Sequence, residues 1–236
     1  MDLSFMSESF VRLLGGIPLT LQLACSSVAL GFCLAVLLAF LVWSRQFLLA
    51  WLAEACVFVF RGTPLLVQMF LIYYGLGQFR PTLQEWGLWW FFRDPYYCAV
   101  LALTLNTAAY GAEIVRGGLQ SVPAGQIEAA RAFGMSGPTL LRRIIAPIAL
   151  RQALPAYGNE IILMVKATSL ASTITLMELT GLAHKLIAES YRAVEVFLCA
   201  AAIYLAITFT VTRVIALAER LIAPDLHIDR PLVPAH

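Results

Sequence analysis

The chain has 236 residues, of which 61% are hydrophobic and 13% charged, and its formal net charge is +2. A soluble domain contains roughly 45–50% apolar and about 25% charged residues, so the apolar excess here must face lipid. The composition therefore excludes a soluble domain and indicates an integral membrane protein. The five cysteines are scattered through apolar segments, without a CxxC pair or metal-ligand spacing to a histidine, so no metal site is predicted.

Long intervals with few or no charges predict an all-α membrane protein with five transmembrane helices. They lie at about residues 17–43, 50–77, 95–115, 156–176 and 195–217, within a single domain that covers residues 1–236. A helix needs about 20 apolar residues to cross the hydrocarbon core, and continuous rather than alternating apolar runs favour helices over a barrel. The first interval is too long for the core of a signal peptide, so it is predicted to be retained.

The second predicted span contains one charge, Arg61, next to Gly62 and Pro64. A charged residue inside a span costs about 2.5–3.5 kcal/mol on insertion scales, so Arg61 is a functional candidate. Its planar guanidinium suits a carboxylate ligand, which it would bind through two parallel hydrogen bonds. Alternatively, it would donate to backbone carbonyls that Gly62 and Pro64 leave free in an interrupted helix. The sequence leaves both roles open.

A polar segment at about residues 118–151 separates the third and fourth predicted spans. Pro123 suits the first turn of a short helix, and Gly134 suits the left-handed residue that ends it. A second, amphipathic helix is predicted to follow, with an apolar face of Leu141, Ile144, Ile145 and Ile148. The first helix is too weakly apolar to bind a membrane by itself, which favours docking on a partner protein. The alternative is an interfacial helix that lies on anionic lipid.

The fourth predicted span carries Glu160 and Lys166, which project on different faces of one helix because they are six residues apart. Glu160 would meet a cationic ligand group or accept hydrogen bonds from a neighbouring helix. The small hydroxyl residues Thr168 and Ser169 follow, and such residues permit close approach of helices or line a polar path.

Basic residues are divided unequally between the two sets of loops. Nine lie on one side, Arg45, Arg116, Arg131, Arg142, Arg143, Arg151, Arg213, Arg220 and Arg230, and five on the other, Arg12, Arg80, Arg93, Lys185 and Arg192. Because loops rich in arginine and lysine are mostly cytoplasmic, the N-terminus is predicted to lie outside and the C-terminus inside. Basic residues are not concentrated on a soluble face, so no nucleic-acid partner is predicted.

A motif in the polar segment resembles the EAA signature of permease subunits of binding-protein-dependent ABC importers. Glu128–Ala130 is followed by Gly134, Ile144 and Pro147 at the spacing of that signature. The one departure is Ala146, where the family usually has leucine, and it removes some apolar packing. The resemblance implies that an ATPase is contacted by Gln126, Glu128, Ala129, Ala130, Gly134, Ile144 and Pro147.

Two further segments resemble the polar amino-acid branch of this family, in particular permeases of the histidine, basic amino-acid and opine type. They are Phe60–Gln68, with the sequence FRGTPLLVQ, and the run from Gly158 to Ser169. Many members of the branch have aspartate where this chain has Ala167, which implies that a partner permease provides the main site for cationic groups. The resemblance implies a substrate pathway of Arg61, Gln68, Asn159, Glu160, Lys166, Thr168 and Ser169.

The resemblance also implies a fold and an assembly. The fold is the five-helix type I importer permease fold, in the bacterial inner membrane. The partners are a second homologous permease subunit, two ATP-binding ATPase subunits, a periplasmic substrate-binding protein, the amino-acid substrate and the lipid bilayer. No cofactor is expected in this chain, since it has no GxxxxGK[ST] phosphate loop and Mg-ATP would be bound and hydrolysed by the partner.

Two other functions are weighed against an importer subunit. A secondary transporter driven by an ion gradient would have two inverted halves, which five spans in one chain do not readily supply. An intramembrane enzyme would need a convergent catalytic group, but no HExxH or GxSxG motif occurs and His184, His227 and His236 lie outside the predicted spans. We therefore predict a non-enzymatic importer subunit for amino acids, with basic amino acids or opines as the substrate class.

Overall fold

The computed structural model describes residues 2–42 and 46–222, and every regular element in these two ranges is a helix. Three helices are long and apolar enough to cross a membrane, and the number rises to five if each of two bent helix pairs counts as one span. The all-α membrane fold predicted from the sequence is confirmed. Trp43, Arg45 and Arg230, which the first predicted span and the charge count include, lie outside the described residues.

A helix that the sequence analysis did not predict precedes the first span. Helix α1 covers Leu3–Leu14, and the Asp2 carboxylate caps it by accepting from the backbone N–H of Ser4. The Ser4 hydroxyl and the Arg192 guanidinium lower the pKa of Asp2 below its usual range, because both bind the charged form. The first span itself is helix α2, which covers Ile17–Val42.

The second predicted span, residues 50–77, is not one straight helix. Helix α3 covers Phe47–Gly62, whereas α4 covers Leu65–Phe70 and continues in a π-helical turn at Leu71–Gly75. The two parts are bent by 106°. The break lies at the Thr63–Pro64 dipeptide, where both residues are extended, because a proline disfavours the helical conformation of the residue before it.

Two short helices connect the bent second span to the third. Helices α5 and α6 cover Arg80–Glu85 and Trp89–Phe92, and α7, the third span, covers Pro95–Gln120. Aromatic rings meet where α6 joins α7, and those of Trp90 and Tyr97 lie edge to face with their centroids 5.6 Å apart. Such a cluster is typical of the level at which a helix leaves the hydrocarbon core.

Helix α7 lies at the centre of the molecule and packs along α2 through small residues. A Cβ atom added at Gly31 would lie 2.7 Å from Thr107 Cγ2, and one added at Gly111 would lie 2.8 Å from Ala35 Cβ. Small residues let two helix backbones approach closely, which is the main source of helix association in lipid. These contacts fix the position of α7 relative to α2, and with it the residues that α7 presents to α3.

The polar segment forms a short helix and the start of a long one. Helix α8 covers Ala124–Ala132. The long helix consists of α9 at Gly137–Leu140, a π-helical turn at Leu141–Ile145, α10 at Ala146–Ala167 and a 3₁₀-helical end at Thr168–Ile174. We call these four pieces together the rod.

The rod differs from the two separate elements that the sequence predicts. The prediction places the polar segment at residues 118–151 and the fourth span at 156–176, whereas the rod is continuous from Gly137 onward. Proline does not break it at Pro147. This residue lacks the N–H that would bond to the carbonyl four residues earlier, and the π-helical turn just before it already departs from that bonding pattern.

Two helices complete the described chain. Helix α11 covers Leu179–Ser190 and is bent by 48° from the rod, and α12 covers Ala193–Ile222. Left-handed residues mark both changes of direction, with φ of +73° at Thr175 and +58° at Tyr191. The sequence analysis did not predict α11, because at 12 residues it is too short for a span and it contains Lys185.

Candidate substrate pathway and docking helix

Arg61, the cation within the second predicted span, lies near the end of α3 beside α7. Its Nη1 atom is 3.8 Å from Glu113 Oε2, and its guanidinium lies 5.4 Å from the centroid of the Tyr110 ring. The side chain is 43% exposed, so part of the guanidinium is free to meet a ligand. Helix α7 thus holds Arg61 in a position from which its planar group can bind a carboxylate.

The broken backbone beside Arg61 is satisfied by Gln68 and not by the arginine. Gln68 Nε2 donates to the Phe60 carbonyl at 2.8 Å, and to the carbonyl and the hydroxyl of Thr63 at 3.0 and 2.8 Å. Asn106 of α7 also donates to the Phe60 carbonyl, at 3.4 Å. Within the described chain, Arg61 makes no hydrogen bond to these carbonyls. The capping role weighed for Arg61 therefore belongs to Gln68.

A cavity of about 640 Å³ opens beside the Arg61 guanidinium. Its wall combines apolar and charged side chains, namely Val42, Trp51, Glu54, Ala55, Val57, Phe58, Arg61, Glu113 and Arg116. Glu113 pairs with both Arg61 and Arg116, so two cations share one carboxylate, and Glu54 adds a second. A wall with charges of both signs can bind a zwitterion, because the carboxylate and the ammonium group need opposite partners when water is removed.

The other predicted pathway residues lie on the rod, on two different sides. Asn159 and Lys166 are exposed, and Lys166 has no anionic partner among the described residues. Glu160 and Thr168 are buried, with 6% and 0% exposure, and Ser169 is half-buried. Glu160 and Lys166 thus project to different sides, one into the protein and one out of it.

The structure divides the seven predicted pathway residues into two groups. The exposed group is Arg61, Asn159 and Lys166, and the buried or half-buried group is Gln68, Glu160, Thr168 and Ser169. A hydrogen bond from the Tyr74 hydroxyl to the Thr173 carbonyl, 3.2 Å long, joins the bent second span to the 3₁₀-helical end of the rod. The part of the second span that follows the break therefore packs against the end of the rod.

Sequence reasoning missed a fully buried carboxylate, that of Glu178. It accepts from two backbone N–H groups in the first turn of α11 and from the Tyr204 hydroxyl of α12, all at 2.9 Å. Beside it, the Leu179 N–H donates to Thr20 Oγ1 of α2 at 3.2 Å. This cluster ties three helices together at the end of the rod. The available signal was an acidic residue directly before a helical run, where a carboxylate satisfies free N–H groups.

Helix α8 presents most of the residues that the resemblance assigns to an ATPase contact. Gln126, Glu128 and Ala129 are exposed, whereas Ala130 is only 5% exposed and packs against the rest of the chain. The two contact residues on the rod are Ile144, which is half-buried, and Pro147, which is exposed.

The end of α8 is shaped by a glycine. Gly134 has a φ of +80°, the left-handed conformation predicted for it, and the Met135 N–H returns to the Ala130 carbonyl at 3.0 Å. This turn leaves the Phe133 side chain 86% exposed. A large apolar side chain displayed next to a polar helix is typical of a surface that binds another protein.

Comparison with known proteins gives close matches. Residues 28–224 match the family described as binding-protein-dependent transport system inner membrane component. The octopine transport system permease protein OccM of Rhizobium radiobacter is 62% identical over 199 residues, which cover 84% of this chain and 81% of that protein. The nopaline transport system permease protein NocM of Agrobacterium fabrum is 57% identical over 200 residues, which cover 85% and 83%.

Solved structures match over nearly the whole chain. A chain in the crystal structure of an amino acid ABC transporter with histidines has a TM-score of 0.83 at 35% identity, covering 93% of this chain and 98% of that one. A chain of the MetNI methionine ABC transporter in an inward-facing conformation has a TM-score of 0.72 at 20% identity, covering 89% and 96%. The second match shows the fold alone.

Proposed function

Because this chain belongs to the family of binding-protein-dependent transport system inner membrane components, we propose that it is the permease subunit of an ATP-driven importer for opines or basic amino acids. The substrate class rests on the two relatives named for octopine and nopaline transport, which match more than four-fifths of the chain at 62% and 57% identity. A relative named as an arginine ABC transporter permease, from Haemophilus influenzae, is 42% identical and extends the class to basic amino acids.

We propose that the exposed residues Arg61, Asn159 and Lys166 lie along one side of the chain and that the translocation path follows this side. A charged side chain at membrane depth rarely faces lipid, and Lys166 has no anionic partner in the described part of the chain. A second, homologous permease subunit would cover this side and enclose the path. Arg61 would then meet a substrate carboxylate, while Gln68 and Glu160 support the path from within the protein.

Helix α8 is proposed to dock on an ATPase subunit. Gln126, Glu128 and the exposed Phe133 ring offer that partner a polar and an apolar contact. Two such subunits, one for each permease subunit, would bind and hydrolyse Mg-ATP. This chain would then act without a cofactor of its own, and movement of α8 would transmit ATP binding to the rod.

The family places the chain in the inner membrane as a multi-pass protein. We propose that the N-terminus lies in the periplasm and the C-terminus in the cytoplasm, which is the orientation that the nine-to-five division of basic residues favours. Helix α8 then lies on the cytoplasmic side with the ATPase. Helices α5 and α6 lie on the periplasmic side, where a substrate-binding protein would deliver the amino acid.

The proposal is tested by uptake in cells that lack their own opine and arginine importers. The chain is expressed with its partner subunits, and labelled octopine, nopaline, arginine and leucine are compared. We expect uptake of an opine or arginine only when the binding protein and the ATPase are both present, and none of leucine. Uptake that persists without the ATPase and stops when the ion gradient is collapsed would support a secondary transporter instead.

A further inference from the structure

A second cavity, separate from the one beside Arg61, lies between α2, α7 and α10. Its volume is about 600 Å³, and its wall is almost wholly apolar, with Val28, Phe40, Leu141 and Tyr157 among its residues. The Tyr157 hydroxyl is already engaged, because it donates to the Val28 carbonyl at 3.3 Å. We call this cavity the apolar groove, since its wall suits a hydrocarbon ligand.

Small side chains create the space in the apolar groove. Its wall contains four alanines, Ala29, Ala146, Ala149 and Ala153. Ala146 is the position at which the family signature usually has leucine, so this chain has room there that a leucine side chain would occupy. Ala29 and Ala146 are exposed, which places both at the opening of the groove.

The length of the groove matches the acyl chain of a lipid in one leaflet. Along α2 it extends from Val28 to Phe40, which is about 18 Å at the helical rise and close to the roughly 15 Å of one leaflet's hydrocarbon.

Two arginines stand at the Leu141 end of the groove. Arg142 and Arg143 belong to the same π-helical turn as Leu141, just before Ala146. Both are exposed, and neither has an acidic partner among the described residues. Guanidinium groups bind phosphate oxygens through paired, charge-assisted hydrogen bonds, and basic pockets beside membrane helices bind anionic head groups.

We propose that the apolar groove binds an acyl chain of an anionic phospholipid from the cytoplasmic leaflet, whose phosphate lies on Arg142 and Arg143. The choice of leaflet rests on the proposed orientation of the chain, whereas the site itself does not. Protein docking and lipid binding were alternatives for this segment in the sequence. We assign them to different surfaces, since α8 carries the exposed docking residues, whereas Leu141 and Ala146 of the rod line the groove and the rod's two contact residues, Ile144 and Pro147, do not.

The test uses the purified transport complex in phosphatidylcholine vesicles that contain phosphatidylglycerol with a photo-reactive diazirine on its acyl chain. Mass spectrometry locates the adducts after illumination. We expect adducts on groove residues such as Phe40 and Leu150, and several-fold fewer from a phosphatidylcholine probe with the same diazirine. Equal labelling by both probes, or labelling spread evenly over the lipid-facing helices, would overturn the proposal.

Three variants sharpen the test. Replacing Arg142 and Arg143 by Gln should lower the adduct yield about fivefold for each arginine removed. Ala146→Leu should lower the yield from both probes, because it fills the groove. Arg220→Gln, which removes an exposed arginine of α12 outside the groove, should leave the yield unchanged. Unchanged labelling in the double arginine variant would overturn the phosphate site.

Two further measurements separate a groove covered by protein from an inverted orientation of the chain. If a cysteine at position 29 forms a direct crosslink to the second permease subunit, a protein and not a lipid covers the groove, and the proposal is wrong. Cysteine labelling at position 136 tests the orientation separately. Labelling of position 136 from the outside would overturn both the choice of leaflet and the proposed orientation. The lipid site itself would still be tested by whether the anionic probe labels the groove more than the phosphatidylcholine probe.

Discussion

Arg61 and Gln68 lie on opposite sides of the break between α3 and α4, and their side chains make different contacts. Gln68 donates to the backbone on the α3 side of the break, whereas Arg61 points toward α7 and the 640 Å³ cavity. The Arg61 guanidinium contacts Glu113 and the Tyr110 ring of α7 rather than the carbonyls at the break. Substitutions at the two positions should therefore affect different properties of the transporter.

Arg61→Lys is expected to reduce uptake per assembled complex roughly 10-fold or more. Lysine cannot make the bidentate pair of hydrogen bonds that arginine makes to a carboxylate, and one hydrogen bond to a charged group contributes about 1.5–3 kcal/mol. The amount of complex should stay the same. Uptake of labelled substrate, divided by the quantity of purified complex, is the measurement. Normal uptake per complex would rule out a role in binding a substrate carboxylate.

Gln68→Leu is the matched substitution on the other side of the break. It should lower the amount of folded complex, because the Thr63 carbonyl loses its donor and the Phe60 carbonyl keeps only the longer bond from Asn106. A polar group left unsatisfied in the protein costs about 1–3 kcal/mol. Size-exclusion chromatography of fluorescently tagged complexes measures this amount, with Arg61→Gln as the control that should assemble normally. Full assembly of Gln68→Leu would show that the break does not depend on this side chain.

At the scale of elements, a single turn joins α8 directly to the rod. Gly134 makes that turn possible, since its φ of +80° is strained for residues with a branched side chain. The turn sets the angle between α8, which would touch the ATPase, and the rod, which carries Lys166. A change in the turn should therefore uncouple ATP hydrolysis from transport without removing the chain from the membrane.

Gly134→Val should lower the amount of ATPase that co-purifies with the permease and should abolish uptake. Glu128→Lys should have the same two effects, because it reverses a charge on the exposed side of α8. Gly125→Ala is the control, because Gly125 lies in α8 with helical backbone and open space around its added Cβ. Both quantities are measured on membranes with equal permease content. Normal stimulation of ATP hydrolysis by the loaded binding protein in Gly134→Val and Glu128→Lys would contradict a coupling role.

The sequence predicted some elements well and others not at all, for physical reasons. Helices α2, α7 and α12 follow from long uncharged runs, because lipid admits few other structures. Helices α1 and α11 are short and partly polar, so no rule about spans detects them. The role of Gln68 depends on the 106° bend that lets it reach the Phe60 and Thr63 carbonyls, and Glu178 accepts from Tyr204, which is 26 residues away.

At the scale of the whole molecule, the predicted type I importer permease fold is confirmed. The chain superposes on an amino acid ABC transporter chain with a TM-score of 0.83 over 93% of its length. Arg61 and Lys166 remain exposed in segments predicted to cross the membrane, and neither of them lines the apolar groove. A single subunit with an uncovered charged side is incomplete in lipid, which agrees with its proposed place beside a second permease subunit.

The orientation of the molecule has a direct test in a variant without its five cysteines. A cysteine placed at Ser136, between α8 and the rod, should react with a membrane-impermeant maleimide only after the membrane is opened. A cysteine at Gln84, in α5, should react in intact spheroplasts. The opposite pattern would mean that the membrane topology is inverted and that α8 lies on the periplasmic side, where it could not contact a cytoplasmic ATPase.

The central claim is that this chain carries substrate only as part of an ATP-driven complex. The most direct measurement is uptake of labelled opine or arginine into vesicles that contain the reconstituted complex, with the binding protein outside and Mg-ATP inside. We predict uptake that requires both the binding protein and ATP hydrolysis and that survives an ionophore. Uptake by the permease without ATP, abolished by the ionophore, would contradict the account.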